Sequence, residues 1–210
     1  MILPKSFYNR NTLQVAQDLL GCFLVRKNPH PLPLPRSCRC GRGEREEKIL
    51  RCKIVEVEAY NGPRDLASHA SQGRTERNKV MFGEPGIIYV YFTYGMHYML
   101  NIVTEGKDYP AAVLIRAVEP RRSRTAGQVC RGRVITNGPA KLTKVLEINK
   151  SFNGLPIYTK KYGLWVESRD ENLKKIHIVK TKRIGVDYAG KYKNKKWRFY
   201  IKGNKFISKK

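Results

Sequence analysis

Apolar and polar positions near the start of the chain follow first a helical period and then a strand pattern. A helix is predicted over residues 11–21, where Asn11 or Thr12 can cap the first turn and Gly21 can end the last. Its apolar face comprises Leu13, Val15, Ala16, Leu19 and Leu20. The short apolar run at residues 22–26 then predicts a strand.

Alternating apolar and polar residues predict a longer strand over residues 48–60. One face holds Val55, Val57 and Ala59, and the other holds Glu56, Glu58 and Tyr60. The polar face of such a strand is ordinarily solvated. Tyr60 and a turn of asparagine, glycine and proline come directly after Glu58, however, and functional groups often lie at strand ends beside loops. A solvated face and a functional site therefore both stay open.

A β-hairpin is predicted over residues 87–103, with Tyr94 and Gly95 at its turn. One face carries Ile87, Tyr89, Tyr91 and Thr93, and the other carries Ile88, Val90, Phe92 and Tyr94. Cross-strand core pairing is the ordinary role for such tyrosines, and we assign Tyr89 and Tyr98 to it. Tyr94 differs, because a large aromatic at a hairpin tip has little core to enter but can insert into a base stack.

The second half of the chain predicts shorter elements. A strand at residues 111–118 is interrupted by Arg116, which lies either at a sheet edge or beside an acid or phosphate that satisfies it. A helix is predicted over residues 137–148, with Asn137 as its cap and with Leu142, Val145 and Leu146 facing inward. Further strands are predicted from YGLWVES, RIGVDYA and WRFYIKG. With no internal repeat or linker, residues 1–210 are predicted to form a single domain.

Composition adds a strong positive charge to this picture. The chain has 42 Lys and Arg against 17 Asp and Glu, which gives a formal net charge of +25. Such an excess indicates a polyanionic partner, with nucleic acid first and an anionic membrane surface second. We expect no membrane partner and no export, because no apolar run reaches the ~20 residues of a span and the N-terminus lacks a signal-type apolar core. Five cysteines without a regular framework fit free thiols in a reducing compartment.

Residues 28–47 are predicted to be a loop, since four prolines in seven residues cannot hold a regular ladder. Cys38 and Cys40 within it resemble half of a metal site. Metal-binding pairs usually have two to four residues between the ligands, and only Cys52 lies nearby as a further candidate. We therefore treat residues 33–47 as a loop insertion, and we expect no metal and no other cofactor.

Five stretches of the sequence together resemble the alkyladenine (3-methyladenine) DNA glycosylase family. They are VEAYNGPRDLASHA, YVYFTYGMHYMLN, LIRAVEP, NGPAKL and RIGVDYAG…RFYIKG. The resemblance follows nearly the whole chain in order, and the combination is specific where no single piece would be. It implies an α+β fold, namely a single domain with a central curved, mostly antiparallel β-sheet, flanking helices and a protruding β-hairpin.

The resemblance also implies a base-excision repair enzyme that acts on double-stranded DNA without a cofactor. Such an enzyme flips a damaged purine (3-methyladenine, 7-methylguanine, hypoxanthine or ethenoadenine) out of the duplex and hydrolyses its N-glycosidic bond. Glu58 matches the catalytic acid residue that activates the attacking water, while Arg116 and the main chain at Ile184 match positions that help to hold that water. A carboxylate suits this place, because cleavage builds positive charge on the sugar.

The remaining expected site residues concern the base and the duplex. The resemblance gives the walls of the base pocket to Tyr60, His69 and Tyr91, whose rings suit positively charged alkylpurines. Without the resemblance, His69 would be taken for an ordinary surface histidine. Asn101 matches the residue that crowds the 2-amino group of guanine. Tyr94 matches the residue that fills the hole left by the flipped base, with Met96 beside it.

Two other functions are weighed against this one. A non-catalytic nucleic-acid-binding protein would explain the charge equally well, but Glu58 would weaken its phosphate binding. A bifunctional lyase would need a nucleophilic lysine, and the motif block at residues 55–101 contains only Lys79. We expect the enzyme to act as a monomer, in a bacterial cytoplasm or, in a eukaryote, in the nucleus.

Overall fold

The computed structural model describes residues 1–27, 49–121, 135–170 and 176–209, which form one antiparallel sheet with short helices around it. The strands are β1 (Phe23–Lys27), β2 (Ile49–Tyr60), β3 (Ile88–Thr93), β4 (His97–Thr104), β5 (Ala111–Pro120), β6 (Leu164–Glu167), β7 (Ile178–Thr181) and β8 (Arg198–Ile201). The helices are α1 (Lys5–Tyr8), α2 (Thr12–Leu19) and α3 (Pro139–Val145). The 3-10 helices are His69–Gln72, Lys79–Phe82, Lys150–Phe152, Lys160–Tyr162 and Gly190–Asn194.

The order of the strands makes β2 the centre of the sheet. Six strands follow one another as β3-β4-β5-β2-β1-β6, and β8 pairs with both β2 and β7. Along one edge β2 pairs with β5, while along the other edge it changes partner from β1 to β8. The change of partner bends the sheet and places residues 56–58 between β5 and β8. The predicted α+β class, with a curved antiparallel sheet and a projecting hairpin, is confirmed.

Helices α2 and α3 lie at their predicted positions but are shorter, and α1 was not predicted. Asn11 caps α2 by accepting a hydrogen bond from the Leu13 main chain, as its sequence position suggested. The helix ends at Leu19 because Leu20 is extended, and Gly21 has φ +87°. Asn137, however, was wrongly predicted as the cap of α3. Gly138 occupies that position, and the Asn137 side chain accepts from Lys141 instead.

One predicted strand is wrong and another was missed. RIGVDYA forms a loop at residues 183–189 rather than a strand. Its apolar residues are buried although they are not in a strand, since Val186 and Ala189 pack against Ala67 in a small cluster beneath the loop. The strand in this part of the chain is β7, which lies just before the loop and pairs with β8.

The strict alternation predicted for β2 is broken at Val55. The register with β5 passes from Ile54 opposite Val118 to Glu56 opposite Ala117, which leaves Val55 unopposed. It then passes to Val57 opposite Ile115, which leaves Arg116 unopposed on β5. Ile54 therefore joins Val57 and Ala59 in the main core. Bulges of this kind re-aim side chains, and here Arg116 is directed toward the acids of β2.

Other expectations concern residues that the structure does not describe, or sets of residues that it describes in part. The insertion at residues 33–47, with Cys38 and Cys40, lies outside the described residues. Of the five cysteines, Cys22 and Cys52 are described, and both are buried free thiols. In the described ranges we find no helix that is long and apolar enough to cross a membrane.

Candidate active site

A cavity of about 330 Å³ opens between the β3–β4 hairpin and the loop at residues 184–188. Its lining comes from β2 to β5, from the loops that follow β2 and β7, and from the start of α3. The lining residues are Tyr60, Ala67, Ser68, His69, Met81, Tyr89, Tyr91, Thr93, Tyr94, Met99, Asn101, Ala112, Leu114, Arg116, Pro139, Ile184, Gly185, Val186 and Tyr188. Seven of the nine residues predicted for the site are among them, and Glu58 and Met96 are the exceptions.

Glu58 lies fully buried directly behind the cavity wall. Its Oε1 accepts a hydrogen bond from the main-chain N–H of Ile184 at 2.8 Å, and its Oε2 accepts from the Tyr60 hydroxyl at 3.0 Å. The guanidinium of Arg116 approaches Oε2 to 3.2 Å. All three partners line the cavity, so they connect the carboxylate to it.

The surroundings of Glu58 act on its pKa in opposite directions. Burial raises the pKa, whereas the charge of Arg116 and the hydrogen bonds from Ile184 and Tyr60 lower it, and the net pKa lies above its ordinary value. Burial also raises the pKa of Tyr60 well above its ordinary value, with the charge of Glu58 adding to the effect. Tyr60 is thus a neutral phenol that donates its proton to the carboxylate.

The second acid of the strand, Glu56, is also fully buried, so the solvated-face interpretation of β2 is wrong. Its Oε1 accepts from Nε of Arg116 at 3.3 Å and from Nε of Arg198 at 2.7 Å. Ser208 donates to Glu56 from both its main-chain N–H and its hydroxyl. The predicted alternative for Arg116, charge satisfaction by an acid, is confirmed. Two acids share one arginine, and Arg198 compensates the second acid.

An aromatic group forms one side of the cavity. The His69 and Tyr91 rings meet edge to face, with centroids 4.6 Å apart. Nδ1 of His69 is 3.0 Å from the hydroxyl of Tyr89, which lines the cavity although it is almost fully buried. The assignment of Tyr89 to the core is therefore incomplete, because the same ring packs in the core and anchors His69. Tyr98 packs on the main core as predicted.

The charge state of this aromatic group is neutral at physiological pH. Burial, together with the nearby charge of Arg77, lowers the pKa of His69 to about 4. Burial raises the pKa of Tyr89 to about 12 and also raises that of Tyr91. Arg77 lies outside the wall, with its guanidinium carbon 5.3 Å from the Tyr91 ring centroid. The cavity thus presents uncharged π-systems to whatever enters it.

Asn101 lies on β4 in the cavity wall, with only 3% of its surface exposed. Its Nδ2 donates to the main-chain oxygen of Tyr89 at 3.1 Å and to that of Met99 at 3.4 Å. These bonds fix the plane of the amide, so the side chain keeps one orientation in the cavity wall.

The hairpin tip carries exposed apolar side chains at the mouth of the cavity. Tyr94 is 86% exposed and Met96 is 67% exposed. Tyr94 has φ +51°, in the left-handed region that non-glycine residues seldom occupy. Such backbone strain usually persists only where the surrounding structure or a function maintains it. Across the mouth stands Tyr188, also 72% exposed.

Three features of the site were not found from the sequence. Glu56 was noticed only as a polar partner of Glu58 on the strand, and Tyr188 was placed in a strand that does not exist. The ion pair of Arg183 with Asp65 joins two loops that are 118 residues apart, and both side chains are fully buried. No local signal could have paired them. In the described residues, no cluster of three or more possible metal ligands is present.

Comparison with known proteins gives a consistent result. The family model described as Methylpurine-DNA glycosylase (MPG) matches residues 42–205. The chain is 44% identical to a protein of Methanocella arvoryzae, covering 99% of this chain and 96% of that protein. It is 44% identical to a protein of Carboxydothermus hydrogenoformans and 42% identical to one of Clostridium novyi, each covered almost completely. All three relatives are named as 3-methyladenine DNA glycosylases.

Proposed function

Because the chain belongs to the methylpurine-DNA glycosylase family of hydrolytic base-excision repair enzymes, we propose that it removes alkylated and deaminated purines using a water activated by Glu58. The observation that carries this proposal is the placement of a buried carboxylate against the cavity through three cavity-lining partners. A carboxylate that only stabilised the fold would not need partners that all line a cavity.

The proposed reaction is a hydrolysis. A water donates a hydrogen bond to a free lone pair of a Glu58 oxygen. It then gives that proton to the carboxylate as its own oxygen forms a bond to C1′ of the flipped nucleotide. The bond from C1′ to N9 breaks, and its electron pair passes to the base. A purine alkylated at N3 or N7 leaves as a neutral molecule, because that pair cancels its positive charge. An uncharged base such as hypoxanthine needs a proton as it leaves.

Arg116 and Ile184 have distinct tasks in this mechanism. The N–H of Ile184 is already engaged with Oε1 of Glu58, so we assign it to the orientation of the carboxylate. The remaining main-chain group of Ile184 that could bind the water is its carbonyl oxygen. Arg116 lowers the pKa of Glu58 against the larger effect of its burial, and it offers further N–H donors toward the cavity.

The aromatic wall supports selection of damaged bases by charge. Alkylated purines are cationic, and a cation against a neutral ring gains about 0.5–2 kcal/mol per good contact. A protonated His69 would repel such a base, but its pKa of about 4 keeps it neutral. The flipped base would lie among Tyr60, His69 and Tyr91, with Tyr94 in the vacated position of the duplex and Met96 beside it. One chain supplies all these residues, so we propose that the enzyme acts as a monomer.

Replacement of Asn101 by alanine is expected to raise the release of 7-methylguanine relative to hypoxanthine by about 10-fold, a range typical of small changes in pocket volume. The proposed reason is that the amide, which is fixed by its bond to the Tyr89 carbonyl, would occupy the space of the 2-amino group, which hypoxanthine lacks. The measurement is the ratio of single-turnover rates on the two substrates. Met99→Leu, a change of similar volume beside it, should keep the wild-type ratio. An unchanged ratio in Asn101→Ala would contradict the assignment.

The experiment that tests the proposed function is base release from duplexes that each carry one damaged purine. We expect free base and an alkali-labile abasic strand, with no cleavage of the strand before alkali treatment. A non-catalytic binder would leave the base attached indefinitely. A lyase would give a covalent adduct on treatment with borohydride. Either outcome would refute the proposal.

A further inference from the structure

The loop that carries Ile184 is held by a fully buried ion pair between Arg183 and Asp65. Arg183 donates from both terminal nitrogens, with Nη1 at 2.5 Å from Oδ2 of Asp65 and Nη2 at 2.7 Å from Oδ1. Two parallel bonds of this kind fix the relative orientation of both groups as well as their distance. The pair therefore connects the loop after β7 rigidly to the loop after β2.

Arg183 and Asp65 each also form hydrogen bonds with main-chain groups at the edge of the site. Arg183 donates at 2.9 Å to the carbonyl of Ala59, the residue between Glu58 and Tyr60. Asp65 accepts from the main-chain N–H groups of Asn61 and Ala67 and so closes the turn that leads to His69. Three segments that supply the site thus meet at one ion pair.

The guanidinium is placed between two aromatic rings. Its central carbon is 4.8 Å from the Tyr60 ring centroid and 5.1 Å from that of Trp197. Tyr60 is the ring that donates to Glu58 and lines the cavity. Arg183 consequently supports Tyr60 from behind while its neighbour in sequence, Ile184, bonds to the same carboxylate.

Stability alone is a poor reason for this arrangement. Burying two charges has a desolvation cost that the attraction between them often only balances, and well-packed apolar residues would do as well or better. Nε of Arg183 is moreover buried without a hydrogen-bond partner among the described residues. Both terminal nitrogens bond to Asp65, whereas the Nε donor is left without a partner in the described part of the chain.

We propose that Arg183 and Asp65 are positioning residues that set the Ile184 N–H and the Tyr60 hydroxyl on Glu58, and thereby determine the rate of base excision. The inference rests on the proposed function and deepens it. Neither side chain contacts the reacting atoms. Their effect passes through two hydrogen bonds, and a misplacement of about 1 Å at a reacting group can cost on the order of 100-fold in rate.

The pH dependence of excision offers a readout that a purely structural role would not move. Glu58 faces Arg116 from β5 and the N–H of Ile184 from the loop, and Tyr60 and Glu56 lie beside it on β2. Arg198, opposite it on β8, is bonded to Glu56. The bonds from Ile184 and Tyr60 lower the pKa of Glu58, so weakening them raises that pKa. Since the base must be ionised, the acidic limb of the rate profile would move to higher pH.

The test compares Arg183→Lys and Asp65→Asn with the wild-type enzyme. We expect both variants to release hypoxanthine about 10–100-fold more slowly under single-turnover conditions, with an acidic limb shifted to higher pH. Binding to a duplex with an abasic analogue should stay within about 3-fold, because the exposed hairpin and the charged surface are unchanged. Lysine keeps the charge but loses the two-pronged geometry, so it separates orientation from charge.

Two controls exclude loss of stability as the cause. Val166→Ala removes buried volume from β6, away from the site, and should lower stability with no change in the acidic limb. Arg51→Lys alters an ion pair with Glu167 at the far end of β2 and should leave the rate unchanged. Wild-type rates and limbs in folded Arg183→Lys and Asp65→Asn would overturn the inference. So would failure of both variants to fold, since the pair would then serve stability alone.

The outcome also separates this inference from the proposed function. If the wild-type enzyme releases no base, the proposed function fails. If the wild-type enzyme releases base and both variants match it in rate and pH profile, only the positioning role fails.

Discussion

Replacing Glu58 with glutamine is expected to slow release of 3-methyladenine or hypoxanthine by about 10²–10⁴-fold, the range associated with loss of a general base. Glutamine is nearly the same size and can still accept from the Ile184 N–H, but it cannot take a proton from water. The measurement is the single-turnover rate of base release with enzyme in excess. Unchanged excision would remove Glu58 from the mechanism.

The same substitution should leave recognition of DNA largely intact. Glu58 is fully buried, whereas the rings at the mouth of the cavity are exposed. Binding of Glu58→Gln to a duplex with an abasic analogue should therefore match that of the wild-type enzyme within a few fold. A parallel loss of binding and excision would point to a structural fault rather than a lost base.

Stability should respond to this substitution in a pH-dependent way. Because burial raises the pKa of Glu58, the folded chain binds the proton more tightly than the unfolded chain. The stability that this carboxyl contributes is complete below its ordinary pKa and is lost as the pH rises through the raised one. The Glu58→Gln chain lacks that titration. Its Tm relative to the wild-type Tm should thus increase from acidic to neutral pH.

Tyr94→Ala is expected to slow excision of a base in a stable pair by about 10–100-fold, because flipping costs a few kcal/mol that the inserted ring would help to offset. The loss should be much smaller for the same damaged base in a mismatch, where less pairing must be broken. The ratio of single-turnover rates on the two duplexes measures the effect. Equal losses on both would make Tyr94 merely structural.

Two variants at the same position separate the ring from the strained backbone. Tyr94→Phe keeps the ring and should retain most of the activity. Tyr94→Gly loses the ring but relieves the positive φ, so it should excise as poorly as Tyr94→Ala while being more stable. Poor activity of Tyr94→Phe would show instead that the exposed hydroxyl carries the function.

Periodic burial made most of the fold predictable from the sequence. The long strand β2, the hairpin and helix α2 each show the spacing of apolar residues that their type of element requires, although the register of β2 breaks at Val55, and each lies close to its predicted position. RIGVDYA failed because its apolar residues are buried under a loop, and burial without a neighbouring strand produces a similar pattern. The cap of α3 failed because Gly138 satisfies the backbone geometry there without a side-chain bond.

The site was predictable where it lies on regular strands and not where it depends on long-range partners. Alternation put Glu58 and Tyr60 on one face of β2. Alternation could not reveal that a double register shift turns Arg116 toward both acids. Arg183 and Asp65 were beyond local inference, because each looks like a solvated charge in a basic loop until the fold brings them together.

The tether from Ser208 to Glu56 has a consequence for the order in which the enzyme is assembled. These partners are 152 residues apart, and Glu58 and Ile184 are 126 residues apart. Contacts between such distant residues close late in folding, since the chain must first lose the entropy of a long loop. On a ribosome, the strand with both acids emerges long before the segments that bind them. A nascent chain could therefore pair strands β1 to β5 before it could cut a glycosidic bond, because β6 to β8 and the partners of both acids at residues 184–208 emerge later.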